Sequence, residues 1–297
     1  MVHSPVTIIS SAPLQRQLFE CASGWLYVNK YLRLFRFGNG LMGVVGVVIA
    51  TFIAAGYGLI DQWLNLVIAA LIVITFVAGG NSLNDYIDRD IDKTAHPDRP
   101  LPTGELQPKT ALYCGIGGLI IAAALSLFIS IWTALVVVIA ALLMIGYETL
   151  LKQRGFIGNL CIAVLTGAVF IFGGAIVNDF SRVWVLALLA ALVSVGREIA
   201  KDIEDMKGDA GSRITLPMSI GVQRAAAVAA TFFIAGPALS FLPLINGTFG
   251  LLYCTVIVAD AIFIYCAVMV FKDAHRTEKT AKVAMLAALI SFVLGVI

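Results

Sequence analysis

The sequence predicts an all-α, polytopic membrane protein with nine transmembrane helices around a central cavity. Three observations carry that expectation. Hydrophobic residues make up 60% of the 297-residue chain and charged residues only 13%, against roughly 45–50% and about 25% in an ordinary soluble domain. The apolar residues fall into stretches that match the roughly 20 residues a helix needs to cross a bilayer. Once those stretches are numbered, the basic residues segregate to one side.

Ahead of the first crossing, residues 14–36 set Leu, Phe, Trp and Tyr against basic positions, the pattern of a helix lying in the membrane interface. Residues 1–36 are therefore expected to form an interfacial segment of a single domain spanning 1–297. The first 35 residues show no charged-then-apolar leader with a cleavage site. Crossings are predicted at 38–58, 64–84, 109–129, 131–150, 159–177, 183–201, 222–242, 249–270 and 280–297. Only Ser130 and its neighbours part the third from the fourth, but a merged stretch would be about twice as long as one crossing needs. With the N-terminus in the cytoplasm, 19 of the 20 Lys and Arg residues fall in inner segments and only Arg182 falls outside. A miscounted span would scramble that segregation, so the chain reads as a multi-pass protein of the cell membrane.

Gly40, Gly43 and Gly46, with Gly115, Gly117 and Gly118, fit close helix packing. No strand precedes them, which argues against a nucleotide-binding loop. Pro217, Pro237 and Pro243 are expected to kink or end the seventh helix. The five cysteines show neither metal-binding nor disulfide spacing. A net charge of +2 without an aromatic-interleaved basic run excludes nucleic acid as a partner.

Carboxylates are scarce, 18 in all, yet they gather in two places. "NSLNDYIDRDIDK", Asn81 to Lys93, holds Asp85, Asp88, Asp90 and Asp92, with Asp98 close behind. On a helix, Asn84, Asp88 and Asp92 would share one face. "GREIAKDIEDMKGD", Gly196 to Asp209, places Glu198, Asp202, Asp205 and Asp209 on a second stripe. Like charges so spaced repel, and near hydrocarbon they are costly. Oxygen-rich sites of this kind suit Mg²⁺, which completes its shell with substrate phosphates. Arg89, Lys93, Arg99, Lys152, Arg154, Lys201 and Arg213 stand close by in sequence, a mixture that fits a Mg²⁺-bridged diphosphate. Solvated loop charge is the competing reading, and two face-aligned clusters on one predicted side weigh against it. Asp260, inside the eighth crossing, is read either as functional or as a helix-packing hydrogen bond.

"NDYIDRDID" resembles the NDxxDxxxD motif of the UbiA superfamily of intramembrane prenyltransferases, and "HPDRPLPTG" resembles that family's RPLPxG continuation. "KDIEDMKGD" is similar to its second Asp-rich motif, and "YETLLKQRGFIGN", Tyr147 to Asn159, to its linker after the fourth helix. The resemblance implies transfer of an isoprenyl group from a prenyl diphosphate to a lipid-soluble acceptor. It implies that Asn84, Asp88 and Asp92 hold one Mg²⁺, and that Asp202, Asp205 and Asp209 hold another. Glu198 stands where some members begin a DxxxD pattern, so its membership of the second set is open. Asp88, Asp202 and Tyr147 would be catalytic, with Tyr147 stabilising the allylic cation or touching the acceptor. Arg99, Lys152 and Lys201 would bind the diphosphate.

The stretch from Gly196 to Pro217 most resembles the archaeal ether-lipid branch. That implies transfer from geranylgeranyl diphosphate to the free hydroxyl of geranylgeranylglyceryl phosphate. For the acceptor's own phosphate the predicted inner surface offers Arg33 and Arg36, with Arg154 and Arg213 at other helix ends. Aromatic acceptors of quinone-type pathways are the alternative. A secondary transporter is a further one, disfavoured because the acidic groups sit at the membrane boundary and an odd helix number fits poorly with two inverted halves.

Overall fold

The computed structural model describes residues 29–209 and 214–297, with residues 207–209 described by their backbone alone. Residues 1–28 of the expected interfacial segment, Arg213 and the side chain of Asp209 lie outside the described residues. Residues 29–35 are helical. Arg36 then turns the chain through a left-handed conformation, φ 48°.

The long helices follow in order: α1 (Phe37–Ala55), α2 (Trp63–Ile87), α3 (Pro108–Ser126), α4 (Ile131–Gly146), α5 (Phe156–Val177), α6 (Val183–Asp209), α7 (Val222–Ser240), α8 (Val256–Met269) and α9 (Ala274–Val296). Among the described residues the single β-type contact is an isolated bridge between Arg154 and Ile214. Eight helical stretches are long and apolar enough to cross a membrane, and the first of these, Phe37–Ile87, is 51 residues long. A straight helix of that length would run about 75 Å, more than twice the hydrocarbon thickness. Instead a 3₁₀ turn at Gly56–Gln62 separates α1 from α2, and the two pack antiparallel, Gly40 opposite Ile74 and Gly43 opposite Val73.

The narrow break expected near Ser130 is present. α3 ends at Ser126, and the Ser130 side chain caps α4 by accepting a bond of 3.1 Å from the Thr133 amide, while Thr133 Oγ1 accepts from the Ser130 amide. The glycines of α3 let it lie almost backbone to backbone on α2. A methyl on Gly79 would sit 2.9 Å from the Gly115 carbonyl oxygen, and one on Gly118 would sit 2.8 Å from that of Thr75. Pro237 lies inside α7, while Pro217 and Pro243 start short helices before and after it.

Large apolar side chains such as Trp63, Ile120, Leu142 and Val268 are exposed on the outer faces, a surface suited to lipid. Inside, two apolar cavities flank α5. One of about 390 Å³ lies between α1, α2, α4 and α5, walled by Val73, Phe76, Val77, Met144 and Leu165. The other, of about 270 Å³, is enclosed by α1 and α5 to α9. Thr166 and Val169 line both. Asp260 borders the second cavity and accepts a 2.7 Å hydrogen bond from the Ser240 hydroxyl.

Candidate active site

Sequence periodicity places Asn84, Asp88 and Asp92 on one helical face, and the structure corrects this. α2 ends at Ile87, and Asp92 opens a separate turn, Asp92–Ala95. Carboxylates crowded at a helix C-terminus face its negative pole, and α2 has no basic residue in its last turn to offset them. Two clusters result from the one motif.

On one side, Asp85 and Asp92 are buried and satisfied by arginines. Asp85 is 1% exposed. It accepts a 2.6 Å bond from Arg36 and a 3.4 Å bond from Arg99, whose Nη1 lies 2.6 Å from Asp92. Two carboxylates and two guanidiniums balance there, as burial of charge requires. Arg36 also reaches the side-chain oxygens of Asn81 and Asn84, both at 3.3 Å.

On the other side, Asn84, Asp88, Glu148 and Lys152 form a closed ring. The Asn84 amide nitrogen donates to Asp88 Oδ2 and to Glu148 Oε2, both at 3.1 Å. Lys152 Nζ lies 2.5 Å from the same Asp88 oxygen and 3.3 Å from the same Glu148 oxygen. A single π-helical turn, Tyr147–Leu151, makes this possible. Its extra residue, marked by the bond from the Lys152 amide to the Tyr147 carbonyl, re-aims the helix end, and such turns recur at functional sites. Glu148 is 8% exposed. Met144 of α4 and Val77 of α2 line the 390 Å³ cavity, four residues before Glu148 and seven before Asn84, so the ring lies beyond that apolar wall along both helices.

The second motif rides on α6 without interruption. Asp202 is buried and accepts a 2.9 Å bond from Asn159 of α5. Glu198 is paired with Arg197, which also reaches Glu278 of α9 at 3.3 Å. Asp205 is half-buried and Lys201 exposed. The segment that carries Lys152 and Asn159 serves both clusters. Seven residues separate them, which bounds their separation at about 25 Å. Gly155, at φ 54°, lies against the Ile214–Leu216 backbone that follows the second motif.

Of the residues expected to touch substrate, Arg99 and Lys152 join the first motif, whereas Lys201 faces outward from α6. Arg33 pairs with Glu105 at 3.0 Å and also donates to the Asp98 carbonyl. Arg36 points into the acidic motif rather than toward open solution. Tyr147 opens the π turn and is half-buried. Sequence reasoning passed over Glu148 and Asn159. Both lie inside the quoted linker stretch, and the available signal was a polar residue at the end of an apolar run.

For a divalent cation, the ring offers two carboxylates, while the Asn84 oxygen, the amide atom able to ligate a metal, accepts from Arg36. Mg²⁺ is commonly held by one or two carboxylates together with substrate phosphates. The donor chemistry fits. Among the described residues no three His, Cys, Asp or Glu side chains converge without such help.

Comparisons with known proteins show the family. The model of the UbiA prenyltransferase family matches residues 44–292. The digeranylgeranylglyceryl phosphate synthase of Methanosphaera stadtmanae is 36% identical over 275 residues, 90% of this chain and 99% of that protein. The enzyme of the same name from Thermococcus kodakarensis is 39% identical, over 86% of this chain and 93% of its own length. A solved structure concerned with digeranylgeranylglyceryl phosphate synthase in membranes superposes with a TM-score of 0.82 at 33% identity, covering 91% of this chain and 98% of that one. A UbiA homologue from Archaeoglobus fulgidus bound to GPP and Mg²⁺ shares the fold, with a TM-score of 0.66 at 17% identity, over 89% of this chain and 99% of that one. This multi-pass membrane chain is a prenyltransferase and belongs to the UbiA prenyltransferase family.

Proposed function

We propose that the protein transfers a geranylgeranyl group from geranylgeranyl diphosphate to the free hydroxyl of geranylgeranylglyceryl phosphate, in a Mg²⁺-dependent step of ether-lipid synthesis. One observation carries the reading: a ring of two carboxylates, an amide and an ammonium follows the wall of an apolar cavity, seven residues after Val77 and four after Met144. The likeness to proteins named digeranylgeranylglyceryl phosphate synthase, over most of the length of both partners, supports the choice of acceptor.

Asp88, joined by Asn84 once its amide turns its oxygen inward from Arg36, would hold one Mg²⁺, and Asp202 and Asp205, with Asp209, another; Asp92 is already committed to Arg99. Bound there, the metal would neutralise the diphosphate and so ease its departure. Lys152 is placed to donate to diphosphate oxygens from beside Asp88, a point charge that strengthens as the leaving group gains charge. The apolar walls at Val77 and Met144 keep water from the allylic carbon. Arg99 and Arg36 balance Asp85 and Asp92, which keeps the loop after α2 in place. Arg33 lies at the rim, partly exposed, where the acceptor's phosphate would arrive.

The same reading gives nine crossings in a single domain, with the N-terminus and both acidic motifs cytoplasmic and an interfacial segment through residue 36. α1 and α2 count as two crossings of the long apolar stretch. Purified protein supplied with labelled geranylgeranyl diphosphate and Mg²⁺ is expected to form the ether product with geranylgeranylglyceryl phosphate at least about tenfold faster than it prenylates 4-hydroxybenzoate, a discrimination of about 1.4 kcal/mol. Equal rates, or a preference for the aromatic acceptor, would overturn the choice.

A further inference from the structure

The charges of the first motif add up differently on its two sides. Arg36, Asp85, Arg99 and Asp92 sum to zero. The neighbouring ring holds Asp88 and Glu148 against Lys152, with Asn84 neutral, and so carries one net negative charge. Without Glu148 that ring would also be neutral, because Lys152 at 2.5 Å cancels Asp88 by itself. We infer that Glu148, outside both Asp-rich motifs, supplies the net negative charge that lets the first motif attract a divalent cation.

Glu148 is suited to this by position as well as by charge. It is buried, and it pairs with two members of the ring, Asn84 and Lys152. The ring uses Oδ2 of Asp88 and Oε2 of Glu148, so each carboxylate has its second oxygen outside it. The amide orientation of Asn84 is set from behind, since its oxygen accepts from Arg36 while its nitrogen spans the two carboxylates. Glu148 thus acts on the cation both through its own charge and by sharing Lys152 with Asp88. The inference rests on the proposed reading, in which this motif takes a cation beside a prenyl diphosphate.

Mn²⁺ binding to the purified full-length protein, followed by electron paramagnetic resonance with no diphosphate present, tests it. The measurement is made in a chain carrying Asp202→Asn, so that the first motif is read by itself. Glu148→Gln, which keeps size and removes charge, is expected to weaken Mn²⁺ binding about 10–100-fold, the usual scale for losing a supporting group at a metal site. Glu148→Asp should recover most of the affinity. Lys152→Gln should tighten binding, and Glu148→Gln combined with Lys152→Gln should return it to near the starting value. Misfolding cannot mimic that reversal of sign. If Glu148→Gln binds within twofold of its parent while Asp88→Asn loses the metal, the inference fails and the site reading stands. A double variant no tighter than Glu148→Gln would also overturn it. If Asp88→Asn and its parent bind alike, or the parent does not bind Mn²⁺, the site reading itself fails.

Discussion

The first acidic motif breaks its helix and gathers partners from distant parts of the chain, while the second stays on an unbroken one. Asp85, Asp88 and Asp92 meet Arg36 before α1, Arg99 in the following loop and Lys152 after α4. α6 continues through Glu198, Asp202 and Asp205 to its end at Asp209. Basic residues are interleaved with the acids in both, Arg89 and Lys93 in the first motif and Lys201 in the second, and Arg89 donates to the Tyr86 carbonyl at the end of α2. The contrast teaches that two acidic motifs of similar spacing can find partners differently, the first from three distant segments of the chain and the second along one helix and from Asn159.

The largest expected effect tests whether the two motifs are functionally equal despite that difference. Asp88→Asn and Asp202→Asn should each lower turnover about 10²–10³-fold, the scale for losing one preorganised electrostatic group, with thermal unfolding close to the parent's. EDTA should reproduce the loss in the parent, and Mg²⁺ should reverse it. Loss at Asp88 combined with full activity at Asp202 would break the symmetry and leave the first motif to act without the second.

A smaller effect separates the two sides of the first motif. Arg36→Ala strips the buried Asp85 of its 2.6 Å partner and leaves it Arg99 at 3.4 Å. A loss of about 1–3 kcal/mol in stability is expected, the cost of an under-satisfied buried group, read as a lower unfolding temperature in detergent. A rise in KM for the acceptor with unchanged stability would instead return Arg36 to the role of a phosphate ligand.

Much of this architecture was legible in the sequence. The apolar stretches mark α1 to α5 and α7 within a few residues, whereas α6 runs eight residues past its stretch, α8 starts seven residues late and α9 six residues early. The four-residue break at Ser130 appears, where Ser followed three residues later by Thr forms its own cap. The α6 stripe was readable because a continuous helix preserves the 3.6-residue period. The α2 stripe failed at Asp88, since periodicity carries no record of where a helix stops. Glu148 and Asn159 escaped for a different cause. Each acquires its meaning from a partner far away in sequence, Asn84 and Asp202 respectively. The π turn that aims Glu148 leaves no periodic signature in five residues.

On the proposed reading, two differently built motifs each hold one cation for one diphosphate. Mn²⁺ stoichiometry in the presence of a non-reactive thiolo analogue of geranylgeranyl diphosphate tests it most directly. The expected result is two ions per parent chain and one ion each in Asp88→Asn and in Asp202→Asn. A single ion in the parent chain, or two ions retained by either variant, would contradict it.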